Sequence, residues 1–267
     1  MSWLEGELTT LALCWRIERR DGVTIGLTAH DRDIVWDGLV HHAAPGMLPS
    51  AITRGAGLDP ASMDVTGALT SAAIGEADLL AGRWDGARVA IFACDWTDPG
   101  SQVALGEGTI GAVETRSGML TAELRGAMAA LERPVVEATS PECRADLGDK
   151  RCRVAMAGRR RFAVVTAIAD TLLTLDAAEP AANCYGQGRL RWIGGANSGL
   201  EGAILSSDGA TVTLRRPPPV DAPGRVLLIE GCDRTLATCA GRFGNALNFR
   251  GEPYLPGIDL LTRYPGG

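Results

Sequence analysis

The chain is poor in aromatic residues (5%), has three histidines, and shows no flavin or dinucleotide fingerprint. A redox cofactor of that kind therefore has no visible binding element. No apolar run approaches the ~18 residues needed to span a bilayer. There is no basic excess either. A formal net charge of −6 argues against a nucleic-acid binder, because phosphate binding needs a basic face. The opening MSWLEGELTTLALCW lacks the basic start and continuous apolar core of a secretory signal, which predicts synthesis and first folding in a reducing cytoplasm. Internal repeats and low-complexity tracts are also missing.

What is present is the composition of an ordinary soluble globular protein, 46% hydrophobic and 22% charged. Its 267 residues suffice for one large domain or two small ones. The patterning is mainly β, with a few short helices. In TLALCWRIERRDGVTIGLTAHDRDIVWDGLVHHAA, Asp21-Gly22 and Asp37-Gly38 are turn signals between alternating runs. SAAIGEADLLAGRWDG, from Ser71, predicts a short helix stopped at Gly82. Residues 87–96 predict a strand, and a further hairpin turns about Ser117-Gly118. A helix is expected from Leu124 to Arg133, ending before Pro134.

Beyond residue 135 the character changes. ATSPECRADLGDKRC is polar and loop-like. Five short strand segments follow between about 159 and 230, with turns at the spacing of a small sandwich or barrel. RRPPPVDAPG is a proline-rich surface connector. The expected layout is an N-terminal β-rich domain, 1–135, and a second unit, 136–267, that encloses a small β-barrel-like module and carries most of the cysteines.

Seven cysteines, at 14, 94, 143, 152, 184, 232 and 239, make a poor disulfide framework in a chain without an export signal. Cys14 and Cys94 read as small core residues. Cys143 and Cys152 form C-x8-C, and Cys232 and Cys239 form C-x6-C, with 79 residues between the pairs. If the intervening module closes on itself, its ends meet and the four thiols converge, which is the chemistry of a soft metal site. Structural zinc usually takes shorter C-x2–4-C knuckles. Iron–sulfur ligands also often come in short runs, so spacing tilts only mildly toward a larger core, and four unrelated thiols stay open. The stretch CDRTLATCAGRFGNALNFRGEPYLPG, from Cys232 to Gly257, holds too many glycines and prolines to be a helix. Arg242, Asn245, Asn248 and Arg250 can bond backbone or sulfur there, and Phe243, Phe249 and Tyr254 can shield an enclosed core. A loop that only satisfies its own backbone is the alternative.

Several segments resemble the baseplate hub proteins of siphophage-like tails and gene transfer agents. GVTIGLTAHDRDIVWDGLVHHAAPGMLPSAI, EADLLAGRWDGARVAIFACDW, GRLRWIGGANSGLEGAILSSDGATVTL and the Cys232–Gly257 stretch carry the resemblance over nearly the whole chain. It implies a structural tail-tip hub, not an enzyme, with Cys143, Cys152, Cys232 and Cys239 holding a [4Fe–4S] cluster; zinc is the alternative metal. It also implies a homotrimeric ring around a DNA channel that links a distal tail protein to tip or fibre (megatron-like) proteins, with a separate tail-associated cell-wall peptidase nearby. DNA would pass without specific binding. The location implied is the virion, at the tail tip, after assembly in the host cytoplasm. Where the family has an aromatic, this chain has Val40-His41-His42, so no role is transferred to those histidines, which read as a solvent-facing pair at a turn. Cys184 lies mid-module and is expected to be a free thiol. Two rival classes remain: a cysteine peptidase using Cys14 or Cys94 with His30, and a soluble iron–sulfur electron-transfer protein. HDRD, at residues 30–33, reads as a hydrogen-bonded turn with local ion pairs.

Overall fold

In the computed structural model, which describes residues 9–43, 48–49, 62–67, 74–116, 119–126 and 136–255, the Asp21-Gly22 signal closes a hairpin between β1 (Leu11–Glu18) and β2 (Thr24–Thr28). The chain divides into two compact units, Met1–Val135 and Val136–Gly267. Each is described on its own, and each is mainly β.

Among its described residues the first unit is a nine-stranded sheet. After the hairpin come β3 (Ile34–Trp36) and β4 (Leu39–Ala43), joined through Asp37 and Gly38, both at positive φ. Two consecutive left-handed residues match the twist of a tight hairpin, and Asp-Gly reaches them at little cost. β5 (Leu48–Pro49), β6 (Ser62–Gly67), β7 (Arg88–Asp95), β8 (Asp98–Arg116) and β9 (Met119–Arg125) complete it in the order β3-β4-β2-β1-β7-β8-β9-β6-β5. The helix expected at Leu124–Arg133 is corrected at its start. Leu124 and Arg125 end β9, where Leu124 is buried in the sheet's core, so packing overrides local propensity. Residues 127–133 of that segment, and Ser117-Gly118, lie outside the described residues.

Alternation on β1 explains why the sheet is buried on both faces at its centre. Trp15 and Ile17 join Leu27, Val89, Ile91 and Trp84 on one side. Ala12 and Cys14 join Ile34, Phe92 and Cys94 on the other. The short helix α1 (Glu76–Leu80) adds Leu79 to the first cluster, and Gly82 follows it at positive φ.

The histidine pair does not face solvent together. His42 does, paired with Asp33 at 3.1 Å. His41, on the opposite face of β4, is fully buried edge-on against Phe92, its ring lying over Gly26 of β2. Alternation along a strand separates the two. Burial pushes the His41 pKa down, so the folded unit prefers the neutral ring.

The second unit is built on a closed six-stranded antiparallel barrel. Its strands are β10 (Arg160–Ala169), β11 (Leu172–Leu175), β12 (Arg189–Trp192), β13 (Glu201–Asp208), β14 (Thr211–Leu214) and β15 (Gly224–Ile229), in the order β10-β11-β14-β13-β12-β15. Val165, Leu173, Leu190, Ile204, Val212, Val226 and Leu228 fill it. Burying each such side chain contributes about 1.5–3 kcal/mol. Asn197, in the GANSG segment, is also fully buried. Its amide donates to the Val220 carbonyl at 2.7 Å and accepts from the Val220 N–H at 3.1 Å, which pins the proline-rich connector.

Closure has one consequence for everything outside the barrel. β10 and β15 are neighbours, with Arg160 opposite Ile229, so the chain enters and leaves at the same rim.

Because the unfolded His41 ring binds a proton near pH 6.5 and the folded one resists it, stability falls as pH drops below about 6.5. His41→Leu is expected to flatten that dependence, read as the urea midpoint of the first unit at pH 7.5 and pH 5.5.

Candidate metal centre

The two segments released at the barrel rim lie side by side and are laced together. The N–H of Cys143 donates to the Arg234 carbonyl at 2.8 Å, that of Arg144 to Arg250 at 2.9 Å, and that of Glu252 to Ser140 at 2.8 Å. Residues 136–159 and 230–255 therefore form one body, and the four predicted cysteines sit within it. All four are free thiols; Cys143, Cys152 and Cys239 are buried and Cys232 is partly exposed.

Local structure sets each sulfur. Asp149 accepts from the N–H groups of Asp146, Arg151 and Cys152, which coils the loop that presents Cys152. Cys239 lies on α2 (Leu236–Gly241), a six-residue helix capped by the Thr235 hydroxyl, so the stretch expected to contain no helix holds a short one. Helix is possible there because the glycines and both prolines all follow residue 240. A 3-10 turn, Ala246–Asn248, comes next.

Three sulfurs face nitrogen donors: the Arg250 N–H on Cys143 at 3.4 Å, the Arg234 N–H on Cys232 at 3.4 Å, and the Asn245 amide beside Cys152 at 3.7 Å. Asn245 also donates to the Cys152 carbonyl at 2.6 Å, while its own carbonyl accepts from the Cys239 thiol at 3.4 Å. One residue thus ties the two cysteine pairs together. Burial pushes the thiols of Cys232 and Cys239 up, and Cys143 and Cys152 add to the shift on both, so Cys232 and Cys239 each lie within electrostatic reach of the other pair.

The donor set fits a soft metal group: four sulfurs, no competing disulfide, and N–H groups placed where thiolates want them. A single ion held at about 2.3 Å by each sulfur draws its sulfurs to about 3.8 Å apart. Among the described residues, no three His, Cys, Asp or Glu side chains are grouped to hold one ion.

The collar around the cysteines is partly as expected. Phe249 packs on Cys143, Ala145 and Cys152. The Asn248 amide donates to the side-chain amide oxygen of Asn245 at 2.7 Å. Arg242 donates to the Gly231 and Cys184 carbonyls and pairs with Glu230 at 2.7 Å. Phe243 lies under the Arg159 and Arg242 guanidiniums, at 5.0 and 4.8 Å, and so braces arginines instead of shielding sulfur. Tyr254 is 89% exposed and shields nothing, and Arg250 bonds sulfur through its backbone.

Sequence reasoning missed the ionic frame. Arg144 forks onto Glu252 at 2.6 and 2.8 Å and reaches Glu137, which also holds Arg151. Glu230 joins Arg159 to Arg242. The alternating charges of ECRADLGDKRC were the available signal. Also unforeseen was the seam between rim and cysteine loop. A Cβ on Gly231 would lie 2.0 Å from the Gly186 carbonyl oxygen, so only glycine lets the two segments approach there.

The remaining cysteines are elsewhere. Cys184 is buried under the barrel rim, its thiol outside the four-sulfur set. Cys14 and Cys94 are core residues but not solitary ones; their sulfurs lie 3.6 Å apart. The Cys14 thiol is turned to Thr28, and the His30 ring to Asp31 and the Arg32 N–H, so neither cysteine makes a peptidase-like pair with His30.

A β-sheet unit and a barrel unit whose rim presents a four-thiol loop pair define a mainly β protein of two units. Residues 1–155 match the family described as "Baseplate hub protein, N-terminal attachment domain". Residues 183–259 match one described as "Phage conserved hypothetical protein BR0599". Among solved structures, a chain of "Virion of native gene transfer agent (GTA) particle" is 36% identical, covering 99% of this chain and 94% of its own, with a TM-score of 0.84. No curated protein matches. The chain belongs to the baseplate hub protein family.

Two measurements test this geometry. Arg144 and the Ser140 N–H hold the Glu252 carboxyl down to about 2. Its contribution to stability is therefore complete above about pH 4.5 and disappears as pH falls toward 2. Glu252→Gln should remove that part of the acid-unfolding profile of the second unit. Gly231→Ala should cost about 1–3 kcal/mol in urea unfolding through overpacking. Gly241→Ala, with open space at its Cβ, should be close to neutral.

Proposed function

We propose that this chain is a structural hub at the tail tip of a phage-like particle, of the gene transfer agent or siphophage type, and that Cys143, Cys152, Cys232 and Cys239 hold a [4Fe–4S] cluster. The observation that carries the hub role is likeness over 99% of the chain to a component of a native gene transfer agent virion. In this reading three copies form a ring around the DNA channel and join a distal tail protein to tip or fibre proteins. DNA passes without specific binding, and cell-wall hydrolysis belongs to a neighbouring protein.

The cluster is supported by the free-thiol set, its N–H donors and the convergence of its loops. A four-iron core spreads its thiolates wider than one ion does, which suits sulfurs that converge without closing on a point. When bound, the cluster would supply covalent cross-links between two segments far apart in sequence, and so folding free energy to a loop-rich body. The chain's own residues do the rest: Asn245 couples the pairs, Phe249 limits water, and the Arg144–Glu252 fork holds the outer loops. Zinc on the same thiols is the second reading, favoured only by their count.

Protein purified anaerobically is expected to be brown and to contain about four iron and four sulfide per chain. Cys143→Ser and Cys239→Ser should each lose both. Zinc at about one per chain with no sulfide would replace the cluster by the second reading. For the hub role, particles made without this chain should lack tail tips in electron micrographs and fail to deliver DNA. Intact tips in its absence would refute it.

A further inference from the structure

Among the described residues, Cys14 and Cys94 are the one pair of sulfurs at hydrogen-bonding distance, 3.6 Å apart, and neither has any exposed surface. They lie 80 residues apart in sequence, on the neighbouring antiparallel strands β1 and β7. Cys14 stands opposite Phe92 and Cys94 opposite Ala12, so the two thiols are diagonal neighbours on one face of the sheet. Their apolar neighbours Ala12, Ile34 and Phe92 offer no polar side chain, which leaves the thiols to each other and to Thr28.

Their protons are arranged asymmetrically. The Thr28 hydroxyl donates to the Leu13 carbonyl at 3.0 Å, and its oxygen accepts from the Cys14 thiol at 3.4 Å. Cys14 has one S–H, so the proton in the sulfur–sulfur contact belongs to Cys94, and the Cys14 sulfur turns its lone pairs toward that residue. This hydrogen bond holds the Cys14 thiol below its ordinary pKa against the opposing effect of burial. The same contact, together with burial, pushes the Cys94 thiol up. Cys14 is therefore the thiol that ionises first, and the thiolate is the reactive form.

We infer that Cys14 and Cys94 form a modification site, a dithiol that hydrogen peroxide oxidises to a disulfide stapling β1 to β7. The Cys14 sulfur attacks one peroxide oxygen and the O–O bond breaks, giving a sulfenic acid and one water. The Cys94 sulfur then attacks the Cys14 sulfur, and its proton leaves with the sulfenic hydroxyl as a second water. In sum, two thiols and one peroxide give one disulfide and two waters, sulfur being oxidised and peroxide oxygen reduced. A disulfide holds its sulfurs about 2.05 Å apart, about 1.5 Å closer than this contact, a closing that rotation about the two Cα–Cβ bonds and a small approach of the strands supply. Peroxide is the fitting oxidant because it is small and uncharged and can enter through local opening of the sheet, where a peptide disulfide is too large. Reducing cytoplasm keeps thiols free, whereas virion surfaces are among the places where disulfides persist, and a virion component such as the similar solved chain meets both. The inference does not rest on a cluster at the four loop cysteines.

The test treats the reduced full-length protein with hydrogen peroxide at neutral pH, then denatures it in iodoacetamide and digests it without reductant for mass spectrometry. A linked peptide pair carrying Cys14 and Cys94 is expected, two hydrogens lighter than the sum of its parts, and dithiothreitol should separate it. The urea midpoint should rise by about 1 M on oxidation, because the bond constrains a long loop of the unfolded chain. Cys14→Ala and Cys94→Ala should each lose both the linked pair and the rise. The linked pair is read in the parent protein, so the result stands even where a variant does not fold. Peroxide damage to a cluster would alter only the peptides of the four loop cysteines, which are read separately in the same digest. Alkylation of both Cys14 and Cys94 after peroxide treatment would overturn the inference. So would recovery of either as a sulfinic acid or linked to a different cysteine.

Discussion

The pairing of β10 with β15 is the constraint on which the second unit depends. Arg160 stands opposite Ile229 because the barrel closes there, and closure is driven by its apolar interior. Closing a long loop is entropically costly, but the cost grows only slowly with length. Once the barrel is formed, the separation in sequence between Cys152 and Cys232 no longer matters. The cysteine segments emerge from one rim, already within hydrogen-bonding distance.

From that point the arrangement is layered. Gly231 lets the outgoing strand lie against the Gly186–Gly188 rim, and Arg242 fastens the same place through Glu230 and the Cys184 carbonyl. Asn245 then joins Cys152 to Cys239, and Arg234 joins Cys232 to Cys143. The outer fork of Arg144 on Glu252 closes the far end. Each layer is polar, so each is weak in water alone. Together they hold loops that have little apolar surface of their own.

Much of this was legible in the sequence, and the part that was not has a physical reason. The turn pairs Asp21-Gly22 and Asp37-Gly38 fixed two hairpins because left-handed positions admit few residues. Barrel strands were visible as short alternating runs, and the two cysteine pairs lie on segments that share one body. His41 was misread because its burial comes from Phe92 and Gly26, which are distant in sequence. Leu124 was misread because a helix-prone residue was claimed by a sheet core. Ion pairs such as Arg144–Glu252 depend on side-chain reach across 108 residues, which no local pattern encodes.

The seven cysteines show that burial alone does not mark a ligand. Cys14 and Cys94 are more deeply buried than any of the four loop cysteines, and their sulfurs are closest to each other and to a threonine hydroxyl. They sit together on one apolar face of a finished sheet, packed with Ala12, Ile34 and Phe92. Around Cys143, Cys152 and Cys232 the backbone and one asparagine aim N–H groups at sulfur. A neutral thiol gains little from such donors, whereas a thiolate bound to metal is stabilised by them. The distinction lies in what faces the sulfur, and by that measure Cys143, Cys152 and Cys232 are placed as acceptors while the sheet cysteines are built as core.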